Sequence, residues 1–282
     1  MAELVGQQIE GMGEAHTIVD AAWVAAHLAD PKVEVVELDV SRAAYDAGHI
    51  PGAVLWNAYS DLRDSSYLPI GRGELERLLS RSGISPDTTL VFYGYGAVLG
   101  LWLMKAHGHA DARMLAGPRD EWAEAGGEWN TDVPEPLESS YPLAEAKADT
   151  LASRSAAEAA IGDPRQVLLD VRAESEYDGA QFWPSGATED VGRAGHIPGA
   201  VSLPIGLMCN EDETLKPAEE LRRLLDGAGI TSDTRVITYC TIGNRASRAW
   251  FALKYLLDYD DVSVYYGSWV EWGKAADTPI EP

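Results

Sequence analysis

Lysine is nearly missing from this chain. Its 282 residues hold only Lys32, Lys105, Lys147, Lys216, Lys254 and Lys274, and lysine and arginine together number 22 against 45 aspartates and glutamates. The net charge of −23 repels phosphate backbones and anionic headgroups alike, which argues against nucleic acid and acidic membrane surfaces as partners. It fits either a surface adapted to high salt, where screening weakens self-repulsion, or a genome with an acidic bias. No apolar run approaches membrane-spanning length. The opening Met1-Ala2-Glu3-Leu4-Val5-Gly6 lacks the basic start and apolar stretch of a secretion signal, so a cytoplasmic protein is expected. Cysteine is as scarce: Cys209 and Cys240 stand in unrelated local contexts, too few for a disulfide framework.

Repetition is what the chain has in abundance. Ala47-Gly48-His49-Ile50-Pro51-Gly52-Ala53-Val54 recurs letter for letter as Ala194 to Val201. Gly83 to Thr88, followed by Leu90 to Gly94, is answered by Gly229 to Thr234, followed by Val236 to Cys240. The two displacements agree to one residue, which points to a duplicated domain. The copies differ where it matters: Gly94 in the first stands where the second has Cys240.

The length suits two domains, each long enough to bury a core. Val33 to Leu38, Leu90 to Tyr93, Val167 to Leu169 and Val236 to Tyr239 read as short buried strands. Leu75 to Ser82 and Ala218 to Ala228 carry leucines at helical spacing before a glycine stop. Strands alternating with helices predict an α/β fold, a mostly parallel sheet flanked by helices in each domain. Pro134, Pro136 and Pro142 break up a stretch poor in aliphatics. The expected division is an N-terminal domain over 1–135, a linker over 136–147 and a C-terminal domain over 148–282. Asp39 and Asp170 are read as matched strand ends, and on that pairing 25 positions separate Asp170 from Gly195 against 9 between Asp39 and Gly48. The surplus around 178–193 contains Phe182, Trp183 and Pro184, and reads as a lid, a substrate wall or a passive loop.

Cys240 closes a strand and opens Thr241-Ile242-Gly243-Asn244-Arg245, and helical spacing resumes from Ala246 to Leu257. Successive N–H groups in such a loop converge on its centre, and the following helix adds its positive end. A cysteine there is biased toward the nucleophilic thiolate, and Arg245 adds a full charge nearby. Gly243 permits backbone angles that a side chain forbids. The competing reading of Cys240 is a small buried hydrophobe at a strand end.

These residues give the chain a resemblance to the tandem-domain rhodanese family, of the thiosulfate sulfurtransferase type. Gly-His-Ile-Pro-Gly-Ala in both halves, Leu169-Asp170-Val171-Arg172 with Glu176-Tyr177, the loop Cys240 to Arg245, and Gly267-Ser268-Trp269-Val270-Glu271-Trp272 carry it, over about Ile18 to Ile280. The resemblance implies that Cys240 takes the outer sulfur of thiosulfate as a persulfide, releases sulfite, and passes the sulfur to a thiophilic acceptor such as cyanide or a thiol, with a sulfur-relay protein as a possible partner. It implies Cys240 and Arg245 as catalytic groups, substrate contacts from Thr241, Ile242, Gly243 and Asn244, and no metal or organic cofactor. Thr241 departs from the basic residue often found after the cysteine, but its hydroxyl could still donate to a sulfonate oxygen. The first copy, with Gly94 to Leu99 in the matching loop, is expected to be catalytically silent and to wall the cleft.

Arg172 and Arg193 are further candidates for holding an anion, with surface ion pairs as the alternative. His49 and His196 share one context while only one domain has the cysteine, so a structural role is expected for both. Trp122, Trp269 and Trp272 are expected in the core. Acids flanking Cys209 should raise its thiol pKa. The alternatives are 3-mercaptopyruvate sulfur transfer, a cysteine phosphatase or arsenate reductase, whose related loops are one residue longer, and a non-enzymatic sulfur-binding module. Mercaptopyruvate-type relatives usually carry Cys-Gly-Ser-Gly and an arginine where this chain has Glu176.

Overall fold

Two five-stranded sheets, each parallel throughout, account for the repeat. The structure is a computed structural model describing residues 17–189 and 191–282. The first sheet is built from β1 (Ile18–Val19), β2 (Val33–Asp39), β3 (Val54–Asn57), β4 (Thr89–Tyr93) and β5 (Ala112–Leu115), in the order β1-β5-β4-β2-β3. The second is built from β6 (Leu151–Ala152), β7 (Gln166–Asp170), β8 (Val201–Ser202), β9 (Arg235–Tyr239) and β10 (Val262–Tyr265), in the order β6-β10-β9-β7-β8. The order is the same in both, with the repeated strand after Ala53 or Ala200 at one edge. Central strands of a covered parallel sheet are buried on both faces, and Leu90 to Tyr93 and Val236 to Tyr239 are buried without a break.

The helices follow the predicted spacing. Leu75, Leu78 and Leu79 are the buried stripe of Arg72–Arg81, which ends before Gly83 at φ 73°. Leu221 and Leu225 do the same for Ala218–Gly227, ahead of Gly229 at φ 75°. Such φ values belong to glycine at little cost, which is why both helices stop there. Asn244–Phe251 is a regular helix, but the spacing that predicts continuation to Leu257 meets a π-turn over Ala252–Leu256.

The described residues divide into two compact units, one holding 17–64 and Pro69–Glu145, the other Ser65–Leu68 and Ala146–Pro282. Much of the expected linker therefore packs with the first unit. Tyr141 and Leu143 are buried, Ser139 donates its N–H to Ser80 O at 3.0 Å, and Leu143 donates its N–H to Glu76 at 3.0 Å. The prolines deny this segment a regular element, but its apolar residues still give it a face to bury.

Sheet register corrects the matching of the halves. Val36 pairs with Val54 and Glu37 with Tyr93, whereas Leu169 pairs with Val201 and Asp170 with Tyr239. Glu37, not Asp39, is thus the counterpart of Asp170. From Glu37 to Gly48 is 11 positions against the 25 from Asp170 to Gly195, so the surplus is 14 residues instead of 16. Asp39 caps its own turn, accepting N–H of Val40 at 2.6 Å and of Ser41 at 3.3 Å.

The two histidines hold matching corners. His49 stacks on Tyr45 at 3.8 Å and His196 on Tyr177 at 3.7 Å. Each tyrosine hydroxyl donates at 2.7 Å to the carbonyl of the alanine ending its motif, Ala53 or Ala200. Tyr93 and Tyr239 accept N–H from Ile50 and Ile197 at 3.1 and 3.3 Å.

Candidate active site

Strand β9 ends at Tyr239, and the next residue is Cys240, 1% exposed. Its thiol is buried but not in a purely apolar setting: the Gly243 N–H points at Sγ across 3.0 Å. Gly243 sits at φ 95°, left-handed backbone that a side chain would resist, and that turn brings its N–H back over the cysteine. The helix Asn244–Phe251 begins at the next residue, so its positive end faces the loop.

The turn between β10 and the helix Ser268–Lys274 fixes the other side of Cys240. Ser268 is held at φ 53°. Its hydroxyl accepts the Cys240 N–H at 3.3 Å and donates to Tyr265 O at 2.8 Å. Trp269 and Val270 then donate their N–H groups to the carbonyls of Cys240 and Thr241 at 2.9 and 3.0 Å. The backbone of the cysteine is therefore tied at both its donor and its acceptor, which positions Sγ without using it. Composition and spacing singled out the Gly267 to Trp272 segment only as a family motif and gave no sign of this role.

Arg245 does not present an uncompensated charge. Its Nη1 and Nη2 donate to the two carboxylate oxygens of Glu176 at 2.7 and 2.9 Å, and Nη2 also donates to the Thr241 hydroxyl at 2.6 Å. Thr241 in turn donates to Glu176 at 2.6 Å, so its hydroxyl is engaged in this triangle. Glu176 also accepts the Ala173 N–H at 3.1 Å. Burial pushes the Glu176 carboxyl up, but the guanidinium, the hydroxyl and that N–H outweigh it and hold the group below its ordinary value. The loop's counter-charge was absent from the sequence reading; the signal for it was the Glu176-Tyr177 pair following Arg172.

The remaining predicted residues separate. Ile242 packs on the apolar cluster of the second unit, which includes Trp269, Trp272 and Phe182. Asn244 is 6% exposed, and neither atom of its amide has a hydrogen-bond partner among the described residues. Arg172 is not on an open surface: its side chain and that of Asp170 are both 0% exposed, joined at 2.6 Å. It also donates to Gly195 O at 2.8 Å and lies 4.3 Å over the Trp269 ring. Arg193 donates to Thr278 O at 2.9 Å, to Thr278 Oγ1 at 2.5 Å and to the carbonyl of Ala275. It pins the C-terminal tail; Arg172 is held by Asp170 and Gly195, with its buried Nη1 left without a hydrogen-bond partner among the described residues. Of the insertion that carries Arg193, Phe182 is 4% exposed in the core cluster, whereas residues 184–189 are exposed.

The first unit uses a different residue for the Arg172 arrangement. Arg119 donates to Glu37 at 3.0 Å and to the Gly48 carbonyl, and lies 4.2 Å over Trp129. Gly94, the counterpart of Cys240, sits at φ 91°, and a Cβ there would stand 3.0 Å from Leu38 O, so a side chain at this position is strained. Cys209 is half-buried, with the Arg248 guanidinium 3.2 Å from its sulfur. Burial, more than the Glu213 charge, raises its thiol, with Arg248 opposing. The direction expected from sequence holds, but its main cause is desolvation. Among the described residues no helix is long and apolar enough to cross a membrane, and no group of three metal-ligating side chains forms.

A family model described as rhodanese-like domain matches residues 20–125 and again 153–275. The chain is 40% identical over 280 residues to the sulfur carrier protein TtuD of Thermus thermophilus, covering 95% of this chain and 98% of that one. It is 38% identical over 274 residues to a protein of Haloferax volcanii provisionally named thiosulfate sulfurtransferase, covering 94% and 96%. Among solved structures, the anaerobic ergothioneine biosynthesis enzyme of Chlorobium limicola, in complex with trimethyl histidine, superposes with a TM-score of 0.82 at 25% identity, over 96% of this chain and 71% of that one. A structure of EanB carrying a cysteine persulfide gives a TM-score of 0.83 at 25% identity, over the same shares of the two chains.

Proposed function

The chain belongs to the rhodanese-like family, and we propose that within it this protein is a thiosulfate sulfurtransferase with Cys240 as the sulfur carrier. The Cys240 thiolate attacks the outer sulfur of thiosulfate. The sulfur–sulfur bond of the donor breaks, its electron pair leaves with sulfite, and Cys240 holds a persulfide. Cyanide or a thiolate then attacks the outer sulfur of that persulfide, and the thiolate of Cys240 returns as leaving group. The charge is the same on both sides of each step, and no redox co-reactant is required. This is covalent catalysis in two half-reactions.

The observation that carries the reading is the Gly243 N–H directed at Sγ across 3.0 Å. A fixed amide donor supports negative charge on sulfur at no reorganisation cost during the reaction. The bonds from the Cys240 backbone to Ser268 and Trp269 hold Sγ in place beside that donor. In this reading Thr241 and Arg245 shape the loop, Ile242, Gly243 and Asn244 line it, and the N-terminal domain is a silent partner because Gly94 replaces the nucleophile.

The 40% identity to a sulfur carrier protein favours a second reading, in which the same persulfide is handed to a protein acceptor. A side-by-side assay of thiosulfate and 3-mercaptopyruvate, with cyanide as acceptor and thiocyanate as readout, tests the donor. Turnover with thiosulfate, lost in Cys240→Ser, is the expected result. Turnover with 3-mercaptopyruvate alone overturns thiosulfate as the donor. Persulfide formation without thiocyanate supports the carrier reading.

A further inference from the structure

The one cationic side chain of the loop Cys240–Arg245 is already matched. Arg245, its side chain 17% exposed, faces a Glu176 carboxylate with none of its side-chain surface exposed, and the two are joined by a pair of N–H···O bonds at 2.7 and 2.9 Å. Two parallel bonds of this kind make the strongest arginine–carboxylate geometry. Thr241 closes the triangle by bonding both partners at 2.6 Å. Glu176 is the weaker acid's opposite, a carboxyl held below its ordinary value, so it is ionised at neutral pH. The charges of Arg245 and Glu176 therefore cancel at the loop. The guanidiniums of Arg172 and Arg193 are bound to Asp170 and to carbonyls of the tail. A dianion entering this site has fixed dipoles to hold it and a molecule of charge −23 around it.

We propose that Glu176 sets the charge selectivity of the sulfur donor. By cancelling Arg245 it limits the advantage that a dianionic donor such as thiosulfate holds over donors of sulfane sulfur that carry a single charge. The proposal rests on the sulfur-carrier reading of Cys240 and extends it to the donor's charge. Glu176 acts through Arg245 and touches no reacting atom. Removing its charge leaves the guanidinium uncompensated, and a dianion gains from that by one charge more than a monoanion does. Across a partly screened separation of a few ångströms this difference is about tenfold in relative kcat/KM.

The test compares thiosulfate with methanethiosulfonate, a monoanion that delivers the same outer sulfur and leaves as methanesulfinate. The ratio of their kcat/KM values, with thiocyanate as common readout, is measured for four proteins: wild type, Glu176→Gln, Arg245→Gln and the double variant. Apart from the Cys240 sulfur, and at a pH where Glu176 stays ionised in Arg245→Gln, these give loop charges of zero, plus one, minus one and zero. The ratio of thiosulfate to methanethiosulfonate rises about tenfold in E176Q, falls by a similar factor in R245Q, and returns close to the wild-type value in the double variant. Damage to the loop that is merely structural lowers both donors together and leaves the ratio unmoved. An unchanged ratio across the series, or a double variant displaced as far as the single ones, overturns the proposal. Thermal unfolding identifies a variant that does not fold; if E176Q is one, wild type, R245Q and the double variant still carry the comparison. Wild-type protein that takes up no sulfur from either donor, judged by intact mass, overturns the carrier reading itself and the proposal with it.

Discussion

Arg172 lies against Asp170 with the guanidinium Nε 3.0 Å from both carboxylate oxygens and Nη2 2.6 Å from one of them. Neither side chain has exposed surface. Breaking a buried pair by removing one member leaves an unpaired charge and costs about 3–5 kcal/mol. Arg172→Met is therefore expected to lower Tm by roughly 10 °C, while the KM for thiosulfate measured on the folded protein stays within about twofold of wild type. A variant of native Tm with a much higher KM would return Arg172 to the anion site.

Gly243 holds φ 95° and directs its N–H at the sulfur of Cys240. Alanine at this φ costs about 1–2 kcal/mol, and the loop relaxes by turning that donor away. Loss of one donor to developing charge typically lowers turnover by about 10²-fold. Gly243→Ala is expected to lose activity on that scale, with only a small fall in Tm. Full activity in this variant would mean that the Gly243 N–H is not part of the chemistry.

Glu176 ties stability to acid. Burial opposes its ionisation, and the bonds from Arg245, Thr241 and Ala173 more than offset that, so its folded value lies below the ordinary 4.5. A lowered carboxyl contributes stability that is fully present above the unfolded value and disappears as pH falls through the folded one. The Tm gap between wild type and Glu176→Gln should be constant from pH 7 to about pH 5 and narrow below about 4.5. A gap that persists unchanged down to pH 3 would show that the carboxylate charge contributes nothing.

Cys209 is the other thiol, raised chiefly by burial, with Arg248 lowering it and Glu213 raising it. It stands in the turn bridging to Leu215, outside the Cys240 loop. Cys209→Ser is expected to leave sulfur loading at one atom per chain and to cost about 1 kcal/mol or less in stability. Loss of loading in this variant would make Cys209 part of the transfer.

The exact recurrence of Gly-His-Ile-Pro-Gly-Ala made both sheets legible, because a repeated turn leads into a repeated edge strand, and the histidines at its corners read correctly as structural. The cysteine loop was legible for the same reason, through the contrast of Gly94 with Cys240. Partners across long separations were not. Arg119 reaches Glu37 from 82 positions away, so letter-by-letter matching of the halves misplaced the pairing onto Asp39. Arg245 reaches Glu176 across 69 positions, and no local pattern states that the loop's cation is neutralised. The prolines before Tyr141 gave a true signal of irregular backbone, but irregular backbone can still pack.

Incubation with thiosulfate followed by intact mass measurement tests the central claim most directly. Wild-type protein is expected to gain the mass of one sulfur atom, to lose it on addition of cyanide, and to show no gain when Cys240 is replaced by serine. A gain that survives in Cys240→Ser, or unmodified wild-type protein after exposure to the donor, would contradict it.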